Sequence, residues 1–378
     1  MKTPVSVCYC GCNADASGYG ESNRNHIRAL HEAKVNLTVQ TVSYTEAFPQ
    51  AGENYELARK LDGKGIDYDI KIIHVPSDGY IKLLEPTKYH IGHLFWETDS
   101  LSKTWVWNCN RMDEIWTGGV SQKETFLRSG VKVPIYIFSQ PVDTNIEPQK
   151  PFEIPGHKGY LFYSIFQWIE RKNPKALLET YWREFDGEEK VSLLLKTFRF
   201  GYNNKEIEAI KKDINEWKKV ISPEIKQFPR VLLFSQLISQ QDIIKFHSTG
   251  DCFVSAHRGE GWGIPQCEAM VLGKPIISTN LGGAHEWMED NKTAYLVKWQ
   301  KTSVFNMDFA PWYDKYQNWA EVDQKDLQSR MRHVFDNPDK GMYIGKQGQE
   351  LVKSKFNYET VGKMMADRLI EIQNWINK

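Results

Sequence analysis

SAHRGEGWGIPQCEAMVLGKPIIST, residues 255–279, is the stretch whose reading decides the fold. An apolar, β-branched run (DCFVSAHR) leads into a glycine-rich loop, Pro265 opens a helix, and a second strand-like run, PIIST, follows. Strand, loop, helix and strand in that order form a unit of a parallel α/β sheet. Proline suits the first helical position because the N–H it lacks has no partner there anyway. The free amides of that first turn, with the helix dipole, favour an anion such as phosphate. The GEGWG loop ahead of it, 259–263, lets backbone approach a ligand without side-chain obstruction. Glu260 lies in this loop and Glu268 eight positions later, one turn into the helix. A carboxylate accepts hydrogen bonds from sugar or ribose hydroxyls. Phosphate held by the helix and hydroxyls held by carboxylates together read as a nucleotide-sugar site. The plainer reading of Glu268 is an acid decorating a first turn, where acids are favoured at any helix start.

Outward from this stretch the same alternation runs through the chain. PVSVCYC (4–10), NLTVQTV, YDIKIIHV, HIGHLFW, DEIWTG and VPIYIF read as strands, with the helix NRNHIRALHEAK after the first. SQPVDTNIEPQKPFEIPGHKG (139–159) is rich in proline and polar residues and reads as a linker. YLFYSIF, VSLLLKTF, RVLLFSQL, DCFVSAHR, PIIST and TAYLV then resume the pattern, and YETVGKMMADRLIEIQNWINK closes it as an amphipathic helix. The expected fold class is α/β, with two Rossmann-like domains facing each other across a cleft. The domains expected are 1–150, 151–355, and a C-terminal helix, 356–378, packing back toward the first domain. Ligands of open parallel sheets bind beyond the carboxyl ends of the strands.

A length of 378 residues fits two domains, and 41% hydrophobic with 25% charged residues fits an ordinary globular protein. Basic and acidic residues balance at 48 each, so the zero net charge argues against a general nucleic-acid binder without excluding nucleic acid as a partner. No apolar run reaches membrane-spanning length and the N-terminus lacks a signal-peptide layout, so a cytoplasmic protein is expected, with peripheral attachment to a membrane left open. Cys8, Cys10 and Cys12 alternate at the period of a strand, not at zinc-ligand spacing, and are expected to be structural thiols. Asp67 and Asp69 (IDYDI) match a metal-binding D-x-D, but they stand at a strand start where a ligand site needs a strand end. SGYGES lacks the spacing of a dinucleotide fingerprint, which disfavours a nicotinamide oxidoreductase.

The pair Glu260 and Glu268, between a strand and GKPIIST…GGAHE, resembles that of the retaining glycosyltransferases of family 4, which have the GT-B fold. SGYGESNRNHIRAL, IWTGGVSQKETFLRSGV…PVDTN, RKNPKALLETY and NLGGAHEWMEDNKTAYLV resemble further segments of that family, in its order. The resemblance spans most of the chain. It implies a hexosyltransferase using a nucleotide-diphosphate sugar, with no cofactor and no metal. The first domain would bind the acceptor and the second the donor. Glu260 would contact the donor sugar, Glu268 the ribose, and Arg171 with Lys172 the diphosphate. Gly18, Tyr19 and Gly20 would bring backbone near the leaving phosphate or the acceptor, and Gly261, Trp262, Gly263 and Ile264 would line the donor. Members commonly carry an arginine about five residues before the lysine, where this chain has Gln167. Arg171 or Lys196 is then left to supply that charge. In YHIGHLFWETD, His93 would polarise donor or acceptor and Glu97 would hold acceptor hydroxyls, though a histidine on an apolar strand is commonly a core residue. Trp96 and Trp262 suit stacking on sugars, or core packing. A glycan, lipid carrier, protein or hydroxymethylated DNA base would serve as acceptor. The competing readings are a sugar-nucleotide epimerase and a non-catalytic sugar-nucleotide-binding module.

Overall fold

The computed structural model describes residues 5–44, 52–157 and 159–378. Pro4, the expected start of the first strand, lies outside them. The chain folds as two compact units, Met1–Asn145 with Val352–Lys378, and Ile146–Leu351.

In the first unit, strands β1 (Ser6–Gly11), β2 (Asn36–Thr41), β3 (Ile70–His74), β4 (Tyr89–His93), β5 (Glu114–Thr117) and β6 (Ile135–Ile137) form a parallel sheet ordered β2-β1-β3-β4-β5-β6. The strands are almost wholly buried, as parallel strands covered on both faces must be. Strand order reverses at β1, so the carboxyl ends of β1 and β3, Gly11 beside His74, flank a topological switch point. The helix Gly18–Glu32 starts just beyond, with Ser17 as its cap. Against it packs the helix Tyr358–Ile376, which buries Val361, Met365, Leu369 and Ile372 in the core of this unit. A Cβ added at Gly362 would sit 2.2 Å from the Ala29 carbonyl oxygen, so the two backbones meet where no side chain fits. Cys8, Cys10 and Cys12 are buried free thiols, and burial pushes those of Cys10 and Cys12 up to about 12. Asp67 is exposed, and Asp69 accepts a hydrogen bond from Gln373.

In the second unit, β7 (Tyr160–Gln167), β8 (Val191–Phe198), β9 (Arg230–Phe234), β10 (Cys252–Ser255), β11 (Ile276–Thr279) and β12 (Tyr295–Val297) form a parallel sheet ordered β12-β11-β10-β7-β8-β9. Here the switch point falls between β7 and β10. The loops that leave these two strands are 168–173 and 256–263, the second being the glycine-rich loop of the opening stretch. An antiparallel hairpin, β13 (Trp299–Ser303) with β14 (Asn318–Val322), follows the sheet, and its Ala320 N–H donates to the Arg258 carbonyl at 2.8 Å. The helix Gln324–Asp336 follows, and the unit ends at Leu351 within the helix Pro338–Lys355. No helix among the described residues is long and apolar enough to cross a membrane.

Candidate active site

The glycine-rich loop after β10 is held open by backbone contacts. Gly263 caps the helix Ile264–Val271 at a φ of 91°, a conformation that suits glycine, and Pro265 follows in the first turn. The Glu260 carbonyl accepts from the Gly283 N–H at 3.0 Å. Gly282, at φ 67°, lies so near that an added Cβ would stand 2.0 Å from that same carbonyl oxygen. The Trp262 indole turns inward, stacks on Trp287 at 5.7 Å and donates to the Cys267 sulfur. Trp96 is likewise buried, against Trp105 at 4.6 Å. Of these two candidates for sugar stacking, neither has its ring at the surface.

Across the switch point, the loop after β7 closes in a short turn, Glu170–Lys172, and Asn173 follows at φ 54° as the cap of the helix Pro174–Glu184. This turn is bolted from below. Arg258 donates to the Glu170 carbonyl at 2.7 Å, to the Glu170 carboxylate at 2.9 Å and to Glu321 at 2.8 Å. Asn173 donates to the other oxygen of Glu321 at 3.1 Å. The turn thereby presents Lys172 to Glu260, and the two form an ion pair with only 15% of each side chain exposed. Arg171 donates to the Gly259 carbonyl at 2.9 Å, on the same loop. Burial works to raise the Glu260 pKa, but Lys172 and Arg171 outweigh it and hold the carboxyl down at about 2. His257, buried beneath, bonds Ser255 at 3.0 Å and the Leu281 carbonyl at 3.1 Å, and burial lowers it to about 4. Loop 256–263 therefore carries a fixed carboxylate beside a fixed lysine and a neutral imidazole.

Glu268, one turn into the helix, is held by a different element. Gln240 donates to one oxygen at 2.7 Å, and His247 Nε2 lies 3.3 Å from the other. Tyr163 OH lies 3.0 Å from His247 Nδ1, and when it donates there the Nε2–H faces Glu268. Lys196, near the carboxyl end of β8, is 6% exposed, makes no ion pair among the described residues, and stands 5.5 Å over the Tyr202 ring. Burial lowers its pKa to about 8. Strand-end loops of the second unit thus bring together Arg171, Lys172, Gly261, Gly263 and Glu260. Ile264 and Glu268 follow in the adjoining helix.

The candidates of the first unit are placed differently. Gly18, Tyr19 and Gly20 form the first turn of a helix, where the Gly20 N–H already donates to Ser17 Oγ at 3.2 Å. Glu97 is half-buried in the loop after β4. His93 ends β4 as expected, but its ring is fully buried against His74 and His26. Sequence reasoning missed His257, Arg258, Gln240 and His247, whose roles come from contacts far along the chain.

Residues 186–309 match the family model described as glycosyl transferases group 1, a span that includes Glu260 and Glu268. No curated relative matches the chain. Among solved structures, Anabaena Alr3699/HepE in complex with UDP and glucose aligns at 12% identity over 97% of this chain and 100% of that one, with a TM-score of 0.68. Sucrose-phosphate synthase from Thermosynechococcus elongatus aligns at 15% identity over 98% and 99%, at 0.69. A glycosyltransferase from Rickettsia africae aligns at 14% over 98% and 99%, at 0.63. The fold is GT-B. Its two Rossmann-like units are those expected from the alternation of strands and helices.

Proposed function

We propose that this chain is a glycosyltransferase that moves a hexose from a nucleotide-diphosphate sugar to an acceptor hydroxyl with retention at the anomeric carbon, without a metal on the diphosphate. One observation carries the reading: the Lys172–Glu260 pair stands at the switch point of the second sheet, beside a glycine-capped helix start. The group 1 family match over 186–309 and the UDP-glucose complex of Anabaena Alr3699/HepE support it.

In this reading the Ile264 N–H at the helix start, Lys172, Arg171 and Lys196 take the diphosphate, and Glu268 takes ribose hydroxyls. Glu260, ionised across the working pH range, accepts hydrogen bonds from the sugar hydroxyls and cannot serve as a general acid. The bond from the anomeric carbon to the phosphate oxygen breaks through an oxocarbenium-like state. Negative charge grows on the leaving diphosphate, where fixed cations and N–H dipoles lower the barrier. The acceptor oxygen bonds to the same face of the anomeric carbon, and its proton passes to the departing phosphate. Glu97 is the acceptor-side candidate in the first unit.

The test uses donor nucleotide sugars with and without acceptor. Lys172→Met and Glu260→Gln should each cut transfer at least ~100-fold, the scale of losing one fixed electrostatic group, while circular dichroism stays native. Near-full transfer in both variants would defeat the reading. Donor epimerised without acceptor would indicate the epimerase instead, and donor binding without turnover the binding module.

A further inference from the structure

The first unit holds a group of side chains, His93 among them, to which the transfer proposed above assigns no role. His74 and His93 are the last residues of β3 and β4, and His26 comes from the helix Gly18–Glu32. All three are completely buried. His74 and His93 stack at 4.1 Å, and His26 stands edge-on to His93 at 4.4 Å and to His74 at 5.4 Å. Two outer nitrogens are engaged: His26 Nδ1 lies 2.8 Å from the Ser22 carbonyl, and His74 Nδ1 lies 2.7 Å from Tyr9 OH. Four inner nitrogens, Nε2 of His26, Nε2 of His74 and both of His93, are buried without a hydrogen-bond partner among the described residues.

Buried polar atoms are as a rule paired, so four partnerless nitrogens gathered in one place point to a ligand they share. One ligand atom from each ring can be chosen so that all lie within 4.8 Å of one another. A backbone carbonyl on the outer nitrogen of His26 fixes its N–H outward and its lone pair inward, the usual support of a metal-bound histidine.

We propose that His26, His74 and His93 form a binding site for one late first-row divalent metal of the zinc class. Nε2 of His26, Nε2 of His74 and one nitrogen of His93 supply three ligands, and water or hydroxide takes the fourth position. Three neutral imidazoles suit such an ion, whereas calcium and magnesium require oxygen ligands. Tetrahedral bonds of about 2.0–2.1 Å place ligand nitrogens roughly 3.4 Å apart, so on loading the rings draw closer and His74 and His93 turn out of their stack until their in-plane lone pairs converge on the ion. The ion ties the helix Gly18–Glu32 to the carboxyl ends of β3 and β4, at the switch point of the first sheet. Sequence reading expected no metal; this site revises that expectation for the first unit and leaves the diphosphate chemistry of the second unit metal-free.

The full chain, carrying no polyhistidine tag and stripped with chelator, is titrated with cobalt(II) and then zinc(II). One cobalt per chain is expected, with the visible absorption of a tetrahedral site, displaced by one zinc and accompanied by a rise in melting temperature. His93→Phe should weaken cobalt binding more than 100-fold. Tyr9→Phe, which removes a supporting contact only, should weaken it roughly 10–100-fold. If His93→Phe fails to fold, X-ray absorption of the zinc-loaded wild type decides, and three imidazole nitrogens in the shell are expected. Absence of stoichiometric cobalt binding, cobalt binding that survives His93→Phe, or a zinc shell without imidazole would each overturn the proposal.

Discussion

Two buried charges near the same strand ends differ in how they titrate. The Glu260 carboxyl, held at about 2 against an ordinary 4.5, favours the folded state above about pH 4.5 and loses that contribution as pH falls toward 2. Lys196 has the opposite consequence. Its folded pKa, about 8, lies below the ordinary 10.5, so between these values the unfolded chain holds a proton that the folded chain has released. Stability therefore rises with pH through that window, and below it the buried charge costs up to about 3 kcal/mol. Lys196→Met should raise the melting temperature at pH 7 and weaken nucleotide-sugar binding at least tenfold, by calorimetry. A variant neither more stable nor weaker in binding would remove Lys196 from the donor site. In the wild type, donor affinity should decline as pH rises past about 8. Lys172 and Glu260 were legible in the sequence from a glycine loop before a proline-led helix and from family resemblance. The burial of Lys196 was not, because a lysine in VSLLLKTF gives no sign of whether an ion will meet it.

Elements decide how firmly those residues are presented. Gly282 approaches the Glu260 carbonyl where a methyl group has no room, and its positive φ adds strain to any other residue. Gly282→Ala should shift the loop and cut kcat/KM for the donor by about 100-fold, since displacement of a fixed group by an ångström is enough. Arg258 acts from beneath, bonding Glu170 and Glu321 at once. A lysine lacks that planar fork, so Arg258→Lys should lower kcat and stability together, by about 3 kcal/mol in unfolding free energy if one carboxylate is left unpaired. Unchanged denaturation midpoints would refute this. The parallel strands were readable because burial on both faces makes them continuous apolar runs. The hairpin β13–β14 was not, because WQKTS is largely exposed and polar and offers no apolar alternation. The partners of Glu268 were equally hidden, since Gln240 and His247 belong to the helix Gln240–Thr249, some twenty to thirty residues upstream.

At the scale of the molecule, chain order and spatial order part company. The first unit is built from both ends of the chain, with 352–378 returning to it after the second unit is finished. Tyr358 OH bonds Asn25 at 2.9 Å and Asn54 at 2.7 Å, and Arg368 closes on the fully buried Glu114 at 2.5 Å. Removing 352–378 should therefore leave Glu114 as an unpaired buried charge and an apolar groove along the helix Gly18–Glu32. The shortened protein should aggregate or bind a hydrophobic dye, while a cooperative transition from the second unit persists; an unaltered melting profile would contradict this. Sequence reading expected the last stretch, 356–378, to be an amphipathic helix packing back toward the first domain. Which residue pairs would secure it could not be read from spacing, as Asn25 and Tyr358 are 333 positions apart.

That returning helix also sets a timetable for synthesis. A ribosome delivers β1 to β6 early, yet the surface of Gly18–Glu32 stays uncovered until more than two hundred further residues have been translated. The middle of the polypeptide can mature first, and the part made earliest waits longest. During that interval a nascent chain displays a greasy strip to whatever holdase stands at the tunnel exit.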